Sequence, residues 1–270
     1  MTKGTAMALE PAALPDPAPG DPPEPEDWLG GRLRLRQPPR GAHRAGTDAV
    51  LLASLLGPDA AGTVLDAGAS TGAVGLAVAR RAPDCRVVLV EREPALADLA
   101  RRNAAENGLS ERVAVLCADL LAPGAARRAA GLAGESAEVV LTNPPFFEGG
   151  RHRPSPIAGK ASAHGFAPGG LEAWMRACAD QAKPGGRLGL IHRADALPAC
   201  LDALRNRFGD LALRPVHARA GDPAIRILLT GRKGSRAPFR LLPALVLQDA
   251  EGRFTPQAEA LHRGERWLEG

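Results

Sequence analysis

From residue 63 onward, short apolar runs alternate with helix-length segments, and this alternation admits essentially one fold class. Thr63-Val64-Leu65-Asp66-Ala67 predicts a buried strand, followed by a glycine-rich turn and a helix over 73–81. A second strand is expected over 87–91, then a helix over 94–107 opened by Pro94 and closed by Gly108. Strands over 113–116, 138–142 and 186–191 follow, with helices over 171–182 and 194–208. Such a pattern makes a parallel sheet covered by helices on both faces. The end of the chain differs, because 211–216, 224–230 and 241–247 read as strands with no long helix between them. The expected architecture is a Rossmann-like, doubly wound, seven-stranded α/β sheet, mostly parallel, with antiparallel C-terminal strands.

Upstream of this region the composition changes. Residues 1–27 hold seven of the 25 prolines and almost no large apolar side chains, so they cannot bury enough surface to offset the entropy of ordering. They read as a disordered acidic leader, and residues 28–270 as a single domain. Within that domain, 28–62 is an extension with an alternating strand over 31–37 and a helix over 49–56, and 63–270 is the core. The leader carries one base against six acids, so the remaining chain holds 33 bases and 24 acids, a balance of +9. A basic body permits a nucleic-acid partner without requiring one.

Several classes are excluded. No run of eighteen apolar residues free of charge occurs, so no membrane-spanning helix is expected. The first thirty residues lack the apolar core and small-residue cleavage site of a secretory signal. Cys85, Cys117, Cys178 and Cys200 never approach a Cys-x-x-Cys spacing, which argues against a disulfide framework or cysteine zinc site and fits a reducing cytoplasm. The histidines show no ligand spacing, and no metal is expected. Nine aromatic residues, none of them tyrosine, are too few for a broad base-stacking platform.

Two segments carry chemistry. The first is Asp66-Ala67-Gly68-Ala69-Ser70-Thr71-Gly72, between a strand and a helix. Glycines there let backbone approach a ligand, and the helix start presents free N–H groups. Glu91 ends the next strand nineteen residues after Gly72, where a ribose-binding carboxylate is expected. The spacing is Gly-x-x-x-Gly, and an acid precedes the turn; both favour S-adenosylmethionine over a dinucleotide. Asp119 follows the third strand, in a position to accept a hydrogen bond from an adenine amine. Asp66, Gly68, Ala69, Gly72, Glu91, Asp119 and Asn143 are therefore the expected cofactor residues.

The second segment is Asn143-Pro144-Pro145-Phe146, at the C-terminal end of the fourth strand, where open α/β sheets place their ligands. Two prolines stiffen the backbone and leave the Pro144 carbonyl free as an acceptor. The Asn143 side-chain oxygen is a second acceptor, and Phe146 is a flat apolar face. The set suits a planar substrate bearing an NH₂ group, whose hydrogens are held while its ring stacks. Asn143, Pro144, Pro145 and Phe146 are the candidate catalytic residues. After them, residues 148–167 hold Arg151, His152, Arg153, Lys160 and His164 with a single acid. Arg151, Arg153 and Lys160, with Phe147, are candidate RNA contacts, and Arg32, Arg34, Arg36 and Arg44 are expected to continue a positive surface.

Together, Asp66 to Gly72, Glu91, Asp119 and Asn143 to Phe146 resemble the class I S-adenosylmethionine-dependent methyltransferases that modify amino groups. Gly31-Arg32-Leu33 and the segment from Arg44 through Gly46-Thr47-Asp48 to Leu52 narrow the resemblance. So do Phe147 after the motif, and Leu245-Val246-Leu247, Glu251 to Thr255 and Ala258-Glu259-Ala260 near the end. These look like the bacterial tRNA adenine-N6 methyltransferases that act beside the anticodon of a valine tRNA, over roughly residues 28–264. The resemblance implies S-adenosylmethionine as cofactor and tRNA as partner. Two rival readings stay open: a protein glutamine methyltransferase, since an amide also presents a planar NH₂, and a non-catalytic RNA-binding subunit on the same fold. One departure stands out. Many family members have glycine where this chain has Ser70, which costs on the order of 1 kcal/mol if that position needs a positive φ.

Overall fold

In a computed structural model of the 270-residue chain, residues 24–39, 44–145 and 170–268 are described. The first element is a hairpin of β1 (Glu26–Trp28) and β2 (Leu33–Leu35), turned by Leu29, Gly30 and Gly31, all at positive φ. It begins two residues inside the segment read as leader, because Glu26 is anchored to Arg44 and Gln37. The alternation over 31–37 gives only a three-residue strand. Beyond it, asparagine amides take over the ladder's work: Asn107 pairs with both backbone groups of Arg34, and Asn103 with both of Arg36, at 2.7–3.0 Å.

Next come α1 (Thr47–Ala53), β3 (Gly62–Ala67), α2 (Ala73–Arg81), β4 (Cys85–Glu91) and α3 (Pro94–Glu106). They are followed by β5 (Val113–Cys117), α4 (Gly124–Ala129) and β6 (Ala137–Thr142). The helix α4 has no buried residue and no apolar stripe, so no periodicity announces it. After α5 (Gly170–Gln181) and β7 (Ala182–Arg193), a single 3-10 turn (Ala194–Ala196) leads into α6 (Leu197–Leu204). The chain continues with β8 (Phe208–Arg219), β9 (Ala224–Lys233), β10 (Arg240–Leu241), β11 (Leu245–Gln248) and α7 (Pro256–His262).

The main sheet has nine strands, in the order β10-β8-β9-β7-β6-β3-β4-β5, with β11 also paired to β8. Its seven central strands, β3 to β9, form the expected doubly wound core. The antiparallel member is β9, inserted between β7 and β8. The strand expected over 241–247 instead forms two pieces, both parallel to β8. Pro243 separates them, since it can donate nothing to a ladder.

Two apolar clusters lie on the two faces of the sheet. One packs α1, α2, α3 and α7 with the β2 leucines; the other packs α5 and α6. Helix α2 sits so close to the sheet that a Cβ on Gly75 would lie 2.2 Å from Leu89 Cδ2. Among the described residues no helix is long and apolar enough to cross a membrane. With β3 flanked by β4 and β6, the strand ends carrying Asp66, Glu91 and Thr142 stand side by side.

Candidate active site

The turn from β3 into α2 is held from three sides. The N–H groups of Gly68 and Ala69 both donate to the Val90 carbonyl at 3.0 Å. Asn103 Nδ2 donates to the Thr71 carbonyl at 2.9 Å, tying the turn to α3 and, through Arg36, to the N-terminal extension. Gly72 caps α2 at φ +86°, and an added Cβ there would meet Leu89 Cδ1 at 2.8 Å. Ser70 adopts φ +51°, the left-handed region. The position therefore does demand a conformation that glycine supplies without strain and serine does not.

Three carboxylates follow three strands, each held differently. Asp66 is 2% exposed, and its Oδ2 accepts the Gly75 N–H at 2.9 Å. Burial pushes its carboxyl up to about 7; the Gly75 bond opposes this and the charge of Glu91 adds to it. Glu91 is 7% exposed, accepting the Ser70 N–H at 2.8 Å on one oxygen and the Glu93 N–H at 2.9 Å on the other. Asp119 is exposed and accepts the Leu121 N–H at 2.8 Å, which fixes the loop after β5.

Asn143 follows β6, half-buried, with Pro144 buried behind it. A short relay sets its position. Thr142 Oγ1 donates to the Ala67 carbonyl at 3.0 Å and accepts from Trp174 Nε1 at 2.9 Å. The same indole lies under the turn, 3.2 Å from where a Cβ on Gly68 would stand. One buried side chain from α5 thus supports both the glycine turn and the motif. Nothing local in the sequence marks Trp174, although a buried tryptophan generally needs an acceptor for its N–H.

These elements close a pocket of ≈ 280 Å³. One wall is Asp66, the turn from Gly68 to Thr71, Ala73 and Val74; Asn143 stands at the edge. The facing wall is Arg44, Thr47 and Asp48 from the extension, with Arg226 from β9. Arg226 Nε reaches both Asp48 oxygens, at 2.9 and 3.1 Å. Thr47 Oγ1 lies 3.4 Å from His262 Nε2, and that imidazole stacks on Phe254 with centroids 4.4 Å apart. Glu91 and Asp119 stand on the neighbouring strand ends, outside the pocket lining.

The expected positive surface is modified by pairing. Arg36 binds Glu106, Arg44 binds Glu26, and Arg32 and Arg34 lie 3.9 and 4.0 Å from Glu265 and Asp27. Of these four, only Arg44 lines the pocket. Phe146, Phe147, Arg151, Arg153 and Lys160 lie outside the described residues, as does the leader up to residue 23.

A parallel sheet with one inserted antiparallel strand, a glycine turn after its first core strand and Asn-Pro-Pro after its fourth define a Rossmann-like methyltransferase. Comparison with known proteins agrees. Residues 43–160 match the methyltransferase small domain family. A tRNA1(Val) (adenine(37)-N6)-methyltransferase of Porphyromonas gingivalis is 31% identical over 225 residues, covering 80% of this chain and 86% of that protein. A release factor glutamine methyltransferase of Escherichia coli is 33% identical over only 85 residues, 27% of its length. A crystal structure of a predicted O-methyltransferase from Agrobacterium tumefaciens superposes with a TM-score of 0.69 at 34% identity, covering 82% of this chain and 98% of that one. The chain belongs to the family of the tRNA1(Val) (adenine(37)-N6)-methyltransferases.

Proposed function

We propose that the protein transfers a methyl group from S-adenosylmethionine to the exocyclic N6 of an adenine in tRNA. The observation that carries this reading is Asn143, the first residue of Asn143-Pro144-Pro145, which follows a strand end anchored through Thr142 beside the glycine turn and lines the same pocket. The turn fits the cofactor, because Gly68, Ala69, Ser70 and Thr71 line the pocket beside Asp66 and Glu91 presents a carboxylate at the adjoining strand end. Glu91 would hold the ribose hydroxyls, Asp119 the adenine amine, and the turn from Gly68 to Gly72 the remainder beside Asp66. When bound, the cofactor supplies an electrophilic methyl group.

The protein's own part is orientation and charge. An exocyclic amine is a poor nucleophile because its lone pair is delocalised into the ring. The Asn143 side-chain oxygen and the Pro144 carbonyl accept its two hydrogens, turning the lone pair away from them. Carried on a strand end anchored through Thr142 and on a proline-stiffened backbone, the two acceptors stabilise the positive charge that develops on nitrogen. Phe146 supplies the stacking face, and Phe147, Arg151, Arg153 and Lys160 contact the RNA around it. The target base must leave its stack to enter, which costs least in a single-stranded loop. The extent of the relationship to the tRNA enzymes, 80% of the chain, favours RNA over a protein amide, whose relatives match 32% and 60% of it.

Labelled S-adenosylmethionine incubated with the protein and either total tRNA or total protein tests the reading. Label in tRNA, recovered after digestion as N6-methyladenosine, is the expected result. Label confined to protein, recovered as methylglutamine, would replace it with the glutamine reading.

A further inference from the structure

We propose that a second pocket, at the opposite end of α2 from the active site, takes a backbone phosphate of the RNA substrate together with an adjoining base. This deepens the reading of RNA as substrate and rests on it. The pocket, ≈ 340 Å³, lies between the β1–β2 turn, the C-terminal end of α2 and the last described residues of the chain. Three guanidinium groups, Arg32, Arg80 and Arg81, face one carboxylate, Glu265.

Arg81 carries the inference. Its Nη1 donates to the carbonyls of Ala53 at 2.8 Å and Leu56 at 3.2 Å, which fixes the guanidinium against the end of α1. Its Nε and Nη2 are buried and have no hydrogen-bond partner among the described residues. These donors are closed to solvent, so Arg81 acts on the pocket through its fixed positive charge, and the exposed donors belong to Arg32 and Arg80. Arg32 lies near enough that its charge, after burial, is the second influence holding Arg81 below the usual arginine range. Arg32 is itself poorly neutralised: Glu265 stands 3.9 Å away, and both side chains are half-exposed. Arg80 uses one donor on the Asn107 carbonyl at 2.7 Å. Crowded cations with spare donors suit a phosphate, which supplies charge and several acceptors at once.

The other wall is apolar. Trp267 is 39% exposed and packs its indole against Gly57, where an added Cβ would stand 2.8 Å from Nε1. With Pro58 it offers a flat face on which a base can stack. The placement favours a polynucleotide over a free nucleotide. Helix α2 lines the active-site pocket with Ala73 and the second pocket with Arg81, eight residues on, about 12 Å along the helix. That is a span of a few nucleotides. Arg34, exposed on β2, pairs at 4.0 Å with Asp27, and such solvent-screened pairs give way to phosphate at little cost.

The test uses the full chain, an unmodified tRNA transcript and a salt series. Arg32→Ser should weaken tRNA binding severalfold and lower the slope of log affinity against log salt by about 0.7–0.9. Glu265→Gln should act in the opposite direction and tighten binding severalfold. Both residues are half-exposed, so neither change threatens the fold, and S-adenosylmethionine affinity measured alongside should not move. If the wild type binds and methylates tRNA but neither variant shifts its affinity, the pocket is not an RNA site and the substrate reading stands. If AMP binds the wild type and Arg32→Ser abolishes that while tRNA affinity is unchanged, the occupant is a free nucleotide and the proposal is overturned. If the wild type binds no tRNA at all, this proposal and the substrate reading fall together.

Discussion

The two walls of the active-site pocket are built differently. The wall at residues 66–74 uses backbone and buried groups from adjacent strand ends and from α3: Asp66 on Gly75, Glu91 on Ser70 and Glu93, and Asn103 on Thr71. The facing wall is made of charged side chains that meet across long stretches of chain, such as Asp48 and Arg226, 178 residues apart. The first is fixed by hydrogen bonds between buried side chains and the backbone. The second is held by partly exposed ion pairs, which are weak and sensitive to salt. On the proposed reading the cofactor takes the rigid wall, and the more adjustable wall is left for the substrate. Substitutions on the two walls should therefore have separable effects.

The largest separation is expected at Asn143, which lines the pocket just after β6. Asn143→Ala removes an acceptor that matters most as charge develops, so the single-turnover rate should fall by about 10²–10³, far more than S-adenosylmethionine affinity falls in calorimetry. On the cofactor wall the expectation reverses. Glu91→Ala should weaken cofactor binding by about 1.5–3 kcal/mol, the value of hydrogen bonds to a charged group. Titration calorimetry reads this directly, and an unchanged affinity in a folded variant would remove Glu91 from the cofactor site.

A pH dependence should come from Asp66. Its folded carboxyl is held at about 7 against an ordinary 3.8, so the folded protein keeps a proton that the unfolded chain releases. Stability from this group is greatest below about pH 4 and is lost as pH rises towards 7. Asp66→Asn keeps an acceptor for the Gly75 N–H and removes the titration. Its melting temperature should gain on the wild type progressively between those values. A constant gap would mean that Asp66 ionises normally. The smallest effect is expected at Ser70, whose φ of +51° carries a strain glycine would not. Ser70→Gly should raise stability by up to about 1 kcal/mol, partly offset by the greater freedom of glycine in the unfolded chain, as measured by denaturant unfolding.

How much of this could be read from the sequence follows from the same contrast. Strands β3, β4 and β6 are nearly continuous apolar runs, buried on both faces, so their positions and the acids and asparagine at their ends were legible. Trp174 and Arg226 were not, because each acts through a contact between elements far apart in the chain and no local pattern announces it. The N-terminal strand is shorter than its alternation implies for a related reason: alternation reports a half-buried ribbon, but not that the Asn103 and Asn107 side chains replace a partner strand. Sequence spacing grouped Asp66, Glu91 and Asp119 alike, whereas the structure buries the first two and exposes the third.

The central claim, that this pocket delivers a methyl group to the N6 of an adenine in tRNA, is tested most directly in tRNA from cells lacking the gene. Mass spectrometry of the digested tRNA should show N6-methyladenosine lost from one tRNA species. The wild-type gene should restore it, Ser70→Gly should restore it as well, and Asn143→Ala should not. Unchanged N6-methyladenosine in the deletion, or full restoration by Asn143→Ala, would contradict the account.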